Sequence, residues 1–178
     1  MKMKTSRLLP LLACAFALLP SQATRAEVRP GSIHVAGGKK TDAYVKDGLI
    51  LGGDRAMDDV AVKDIRRATN AGFERVVIDL EASQTSHAAA ISRPPYYQVA
   101  VMPDESRILF TIWGRPRLDF DSKRVVAAFK KSALVKNLVL IPRVEEDTWT
   151  FALELRGAKA IEVFELSSPV RLIMDIKN

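Results

Sequence analysis

The sequence predicts an all-β domain, a small β-sandwich of two short sheets carrying one short helix. Three observations carry that expectation. A strand-like phrase occurs twice, about a hundred residues apart: Glu74-Arg75-Val76-Val77-Ile78-Asp79-Leu80-Glu81 and Val170-Arg171-Leu172-Ile173-Met174-Asp175-Ile176-Lys177. Short apolar segments parted by turn residues fill most of the chain between them. A single stretch, 121–131, has the cap and spacing of a helix.

The first residues stand outside that domain. Lys2, Lys4 and Arg7 precede an apolar run from Leu8 to Leu19, and Pro20-Ser21-Gln22 closes it. Ser21-Gln22-Ala23 and Thr24-Arg25-Ala26 both fit small-residue cleavage rules, so 1–26 reads as a secretory signal peptide, too short to span a bilayer. The expected address is periplasmic or secreted. Cys14, the one cysteine, gives Leu11-Leu12-Ala13-Cys14 a faint likeness to a lipoprotein signal. Against lipidation, few apolar residues precede Cys14, and Ala15 to Leu19 continue the run beyond it. The formal charge of the whole chain is +6. Lys2, Lys4, Arg7 and Arg25 supply four of those charges with no acid among them, which leaves +2 on residues 27–178. That surplus is too small to suggest a nucleic-acid partner.

Six of the nine glycines fall between Gly31 and Gly53. Residues 27–57 therefore read as a flexible linker, or as a weak hairpin joining Ser32–Ala36 to Ala43–Val45 across Gly37-Gly38-Lys39-Lys40. The β-domain proper is expected over 58–178. Asp58 to Ala68 carries both a helical and an alternating period. The turn Asn70-Ala71-Gly72, leading straight into Phe73, favours a strand–turn–strand reading.

In each copy of the repeated phrase, alternate side chains share a face. Val76, Ile78 and Leu80 sort together, as do Leu172, Met174 and Ile176, leaving Arg75, Val77, Asp79 and Arg171, Ile173, Asp175 on outer faces. One antiparallel register sets Arg75 opposite Asp175 and Asp79 opposite Arg171, with Val77 facing Ile173. Any other register forfeits at least one cross-strand ion pair, and a one-residue slip would turn the apolar set out of the core. Pairing of the two copies in that register is the expectation.

Ser83 to Pro95 reads as a loop. Tyr96–Val101 and Arg107–Trp113 form a hairpin across Pro103-Asp104-Glu105-Ser106, ended by Gly114-Arg115-Pro116. Asp121-Ser122 caps the helix, with Val125, Val126 and Phe129 on one side. Lys136–Val144, Thr148–Arg156 and Ala160–Leu166 complete the strands before Ser167-Ser168-Pro169 breaks the chain.

Two of these phrases carry a family resemblance. Phe73-Glu74-Arg75-Val76-Val77-Ile78-Asp79-Leu80 resembles the opening of AMIN and AMIN-like domains. Phe164-Glu165-Leu166-Ser167-Ser168-Pro169-Val170-Arg171-Leu172-Ile173-Met174-Asp175-Ile176 is similar to their ending, and Tyr96-Tyr97-Gln98-Val99 sits where AMIN-like relatives carry an aromatic strand. The likeness covers about 58–178. It implies a two-sheet sandwich of the bacterial envelope that localises by holding peptidoglycan or an envelope protein. A scaffold or accessory role in an assembly such as a type IV pilus secretin is the alternative, and a cell-wall hydrolase a lesser one.

No cofactor or metal is expected. His34 and His87 lack a second ligand at metal spacing, and a catalytic role for Ser86-His87 is outweighed by that of a solvated loop histidine. Asp58-Asp59 and Glu145-Glu146-Asp147 read as surface turns. The candidate ligand surface is Tyr96, Tyr97, Trp113, Arg115 and Arg117. Aromatic rings offer flat apolar faces to sugars, and arginine grips carboxylates or amide carbonyls. Tyr97 and Trp113 have the competing reading of core residues.

Mass spectrometry of the envelope fraction is expected to find a chain beginning at Glu27 or Thr24. A lipid-modified Cys14 at the N-terminus would overturn the expectation and place the protein on a membrane surface.

Overall fold

A computed structural model describes residues 31–58, 60–82, 91–142 and 147–178. The chain runs β1 (Ile33–Val35), β2 (Gly48–Gly52), β3 (Val60–Asn70), β4 (Phe73–Ala82), β5 (Tyr97–Met102), β6 (Arg107–Trp113), β7 (Arg117–Leu118), α1 (Ser122–Phe129), β8 (Val135–Leu140), β9 (Thr148–Leu155), β10 (Ile161–Ser167) and β11 (Val170–Lys177). Two sheets face each other. One has six strands in the order β1-β2-β5-β6-β9-β8, the other five in the order β10-β11-β4-β3-β7.

The repeated phrases are β4 and β11, and they pair antiparallel at the centre of the five-stranded sheet in the register their charges select. Asp175 lies opposite Arg75, Arg171 opposite Asp79 and Ile173 opposite Val77. Arg75 grips Asp175 with two hydrogen bonds, Nε to Oδ1 at 2.7 Å and Nη2 to Oδ2 at 2.8 Å. Arg171 Nε donates to Asp79 Oδ1 at 2.9 Å. Arg66 on β3 shares that carboxylate, with Nε 2.7 Å from Oδ2. Val76, Ile78, Leu80, Leu172, Met174 and Ile176 all turn into the core, as the alternation requires.

Across the core stand Tyr97, Val99, Ile108, Phe110, Ile112, Trp149, Phe151 and Leu153 of the six-stranded sheet. Phe110 stacks between Tyr97 and Phe151, with ring centroids 5.5 and 5.1 Å away. Helix α1 packs against β3 of one sheet and β8 of the other, burying Val125 and Phe129 and so closing one end of the sandwich. Asp121 caps it, accepting from the N–H of Lys123 at 2.9 Å and of Arg124 at 3.1 Å.

Strand β3 settles the two-period segment. A bulge between Val62 and Asp64 inserts one residue. The buried set Val60, Val62, Ile65 is therefore spaced by two and then by three. That irregular step is what lent the sequence its helical look.

Two expectations need correcting. Residues 31–58 are neither a linker nor the expected hairpin. Strand β1 pairs in parallel with β2 at the edge of the six-stranded sheet. Residues 37–45 then run along the free edge of β10, where Gly37 O accepts from Glu165 N at 2.8 Å, and Val45 and Ile161 exchange N–H···O bonds of 2.7 and 2.8 Å. Gly31, Gly48, Gly52 and Gly53 serve close approach rather than flexibility. Gly48, at φ +96°, lies so near Ser32 and Gly31 that a Cβ would strike their backbone, and Gly52 leaves room for the Tyr97 ring. The second correction concerns β11, whose outer face is covered. Ile173 and Asp175 are buried there. Lys40 lies 4.0 Å from the Phe73 ring centroid with its Nζ 3.6 Å from Asp175 Oδ2, and the Arg75 guanidinium sits between the Phe73 and Phe164 rings.

The Asp175 side chain is fully buried, whereas that of Asp79 is 21% exposed. Removing one partner of a buried pair leaves the other uncompensated. Asp175→Ala is thus expected to reduce the unfolding free energy by about 3 kcal/mol, and Asp79→Ala by about 1 kcal/mol or less. Urea titrations of both variants measure this, and equal losses would refute a special role for the buried pair.

Candidate functional site

The outer faces of the two sheets differ in chemistry. The five-stranded sheet shows Arg66, Arg75, Asp79 and Arg171, linked into ion pairs. The six-stranded sheet shows almost no charge. Strand pairing aligns Ile33, Leu49, Ala100, Leu109, Ala152 and Val139 in a single row, one residue from each strand. All six have outward parity, because Ile50, Val99, Phe110, Phe151 and Leu138 beside them point into the core. A second row begins with Val35 and Leu51 and passes through Gln98, Thr111 and Thr150. The two threonine hydroxyls are 3.0 Å apart, so one donates to the other within the face. Charge returns only at the rim, where Arg107 opposes Glu154.

Tyr96 and Trp113 end this face. Trp113 pairs with Thr148 on one side, and its N–H donates to Tyr96 O at 2.9 Å on the other. Their rings meet at 5.1 Å between centroids, tilted by 56°, and both residues are half-buried. Beyond Trp113 the chain crosses between sheets through Gly114-Arg115-Pro116. Arg115 is exposed at this crossing. Its N–H donates to Asp58 Oδ1 at 3.1 Å and its Nε to Asp147 Oδ1 at 3.2 Å. Tyr96, Trp113 and Arg115 therefore form one edge, a tilted aromatic pair flanked by a guanidinium.

The other two residues of the expected surface lie elsewhere. Arg117 belongs to β7, in the opposite sheet, and donates to Asp119 at 3.1 Å. Tyr97 is a core residue. One step along a strand reverses the face, so adjacent tyrosines separate into one outward and one inward. The Tyr97 hydroxyl meets Glu165 Oε1 at 3.3 Å, and the same carboxylate accepts from Gly53 N at 2.7 Å and from the Arg93 guanidinium at 3.0 Å. Glu165 thus ties β10 to β5 and to the turn after β2. Its role was not anticipated, although a glutamate among apolar neighbours in Ile161-Glu162-Val163-Phe164-Glu165 is a signal for buried polar partners.

A cleft of about 220 Å³ opens between β1 and residues 39–45, with His34, Lys39, Thr41, Tyr44 and Glu162 in its lining. Glu162 is already engaged, accepting from Thr41 N at 2.5 Å, Thr41 Oγ1 at 2.8 Å and Asp42 N at 3.1 Å. His34 Nε2 lies 2.9 Å from Ser32 Oγ. Ser86-His87, Asp59 and Glu145-Glu146 fall outside the described residues.

No family model matches the chain, and no curated protein matches it. The likeness to AMIN domains accordingly rests on the two phrases, their order and their spacing.

Burial pushes the Tyr97 hydroxyl well above the ordinary tyrosine range, and the facing Glu165 carboxylate adds to the effect. A folded value above the unfolded one gives stability that is fully present below the unfolded pKa, near pH 10, and is lost as pH rises beyond it. Each tyrosine of this kind steepens alkaline destabilisation by up to about 1.4 kcal/mol per pH unit. Tyr97→Phe is expected to flatten the stability curve above about pH 10 relative to the unaltered chain. An unchanged alkaline slope in Tyr97→Phe would contradict the assignment.

Proposed function

We propose that this protein is a non-catalytic exported module of the cell envelope. It binds peptidoglycan at the edge formed by Tyr96, Trp113 and Arg115. The observation carrying this reading is the tilted aromatic pair at the end of an uncharged sheet face, with Arg115 following directly on the strand. Two half-exposed rings give sugar rings an apolar platform. A guanidinium beside them suits the carboxylates and amide carbonyls of the stem peptides. The AMIN-like phrases support the same reading, since they imply an envelope domain of this class. A role as an accessory protein of an envelope assembly is the second reading, favoured by the apolar row on the same face, which suits a protein contact.

Purified sacculi separate the possibilities. The processed chain is expected to co-sediment with them without releasing soluble muropeptides. The double variant Tyr96→Ala/Trp113→Ala should weaken binding by about tenfold or more, the scale of a lost stacked contact, and Arg115→Ala should weaken it less. Release of muropeptides would establish a hydrolase instead. Undiminished retention of a double variant whose circular dichroism is native would remove this edge from consideration.

A further inference from the structure

The apolar face of the six-stranded sheet is built to be covered. Among the described residues, its edge strand β1 carries the two most exposed large apolar side chains, Ile33 at 67% and Val35 at 82%. The row that Ile33 begins crosses all six strands without a polar interruption, while Val35 begins the second row, which carries Gln98, Thr111 and Thr150. With strands about 4.8 Å apart, the Ile33 row is about 24 Å long. The second row and the aromatic pair deepen it to about 14 Å, at about 6.8 Å for two residues along a strand. Allowing for side-chain radii, the outline is about 500 Å². Corrugated by side chains, a face of that outline approaches the ~800 Å² of accessible surface that each partner contributes to a standard interface. The face is uncharged and sets that apolar row beside the Gln98, Thr111 and Thr150 row, the mixed make-up of a protein–protein contact.

We propose that the occupant is a second copy of this chain, packed face to face across the six-stranded sheets. Two features single out a self-partner. The first is relief. In the row, Leu109 projects between Ala100 and Ala152, its neighbours on β5 and β9. Ala152 is already covered, at 4% exposure, so the hollow is Ala100: a two-fold axis running along the strands between β5 and β6 brings the Leu109 of each copy over the Ala100 of the other. Knob and hollow then belong to the same surface, as an isologous contact requires. The second is charge. A two-fold axis sets each group near its own mate, so any charge close to it meets the same sign. Both rows are uncharged, and the nearest ions are the Arg107–Glu154 pair at the rim. The face of the opposite sheet, with Arg66, Arg75 and Arg171, could not be stacked in this way. Two twisted sheets packed at about 10 Å in the aligned manner would turn the molecule into a four-layered dimer.

Sedimentation velocity on the processed chain over the micromolar range tests this. The expected result is a concentration-dependent dimer. Val35→Lys, at a site too exposed to affect folding, and Leu109→Arg should each raise the dissociation constant by about tenfold or more with unchanged circular dichroism. Should Leu109→Arg fail to fold, Val35→Lys decides alone. A chain that remains monomeric throughout overturns the proposal. So does a dimer indifferent to Val35→Lys, which would place the contact elsewhere. A monomer that floats with vesicles of phosphatidylethanolamine and phosphatidylglycerol would assign the face to a lipid surface instead. Sacculus binding by a dissociated but folded variant keeps this result separate from the peptidoglycan reading.

Discussion

Strands β4 and β11 lie about a hundred residues apart in the chain and side by side in the sheet. Their pairing is the constraint on which the rest depends. Side-chain alternation excludes odd slips, because a single step would exchange Val76, Ile78 and Leu80 for Arg75, Val77 and Asp79 in the core. Among even slips only one joins both arginine–aspartate pairs. Once β11 is set beside β4, β10 must occupy the sheet edge, and its unpaired backbone groups face outward. Residues 37–45 meet them through Gly37 and Val45. The order of the glycine-rich segment is thus a consequence of a register chosen by residues far along the chain.

The two sheet faces divide the labour of solubility and association. On the five-stranded sheet, the half-exposed Asp79 carboxylate is met by both Arg66 and Arg171. Individually such pairs contribute little. Together they hold a face that repels its own copies and stays hydrated. The six-stranded sheet has no comparable charge outside its rim, and its hydroxyls at Thr111 and Thr150 hydrogen-bond to one another. This contrast within one small sandwich is difficult to attribute to packing alone, since both inner faces are filled by buried apolar side chains.

Much of this was legible in the sequence, wherever the period-two pattern was clean. The faces of β4 and β11, their register, the hairpin of β5 and β6 and the Asp121 cap follow from residue order alone. Legibility failed where a long-range partner changed the meaning of a residue. The bulge after Val62 shifted the phase of β3 and imitated a helix. Glycines at 48 and 52 looked like flexibility, although what they provide is room for a neighbouring strand and a tyrosine ring. Tyr96 and Tyr97 are chemically alike, and only strand phase separates the rim residue from the core residue. Of the candidate surface, Tyr96, Trp113 and Arg115 come together at one edge, Tyr97 turns into the core, where its hydroxyl meets Glu165, and Arg117 lies in the other sheet.

The missing signal lay in β10. Its residues Ile161 to Glu165 are buried without a break, and two of the five are glutamates. A carboxylate cannot be placed inside a domain without donors, and alternation sends these two to opposite faces. Glu162 therefore needs donors outside the sandwich and Glu165 needs them between the sheets. Neighbouring β11 cannot meet the outer demand, because Asp175 already claims Arg75 and Lys40. For Glu162 the donors that remain are main-chain and hydroxyl groups from a segment not yet placed, and Thr41 and Asp42 supply them. Glu165 takes the Gly53 N–H beside the Tyr97 hydroxyl and the Arg93 guanidinium, so both glutamates of an otherwise apolar strand draw the glycine-rich N-terminal segment onto β10. Hydrogen-bond satisfaction, more than any local propensity, makes residues 31–58 part of the domain.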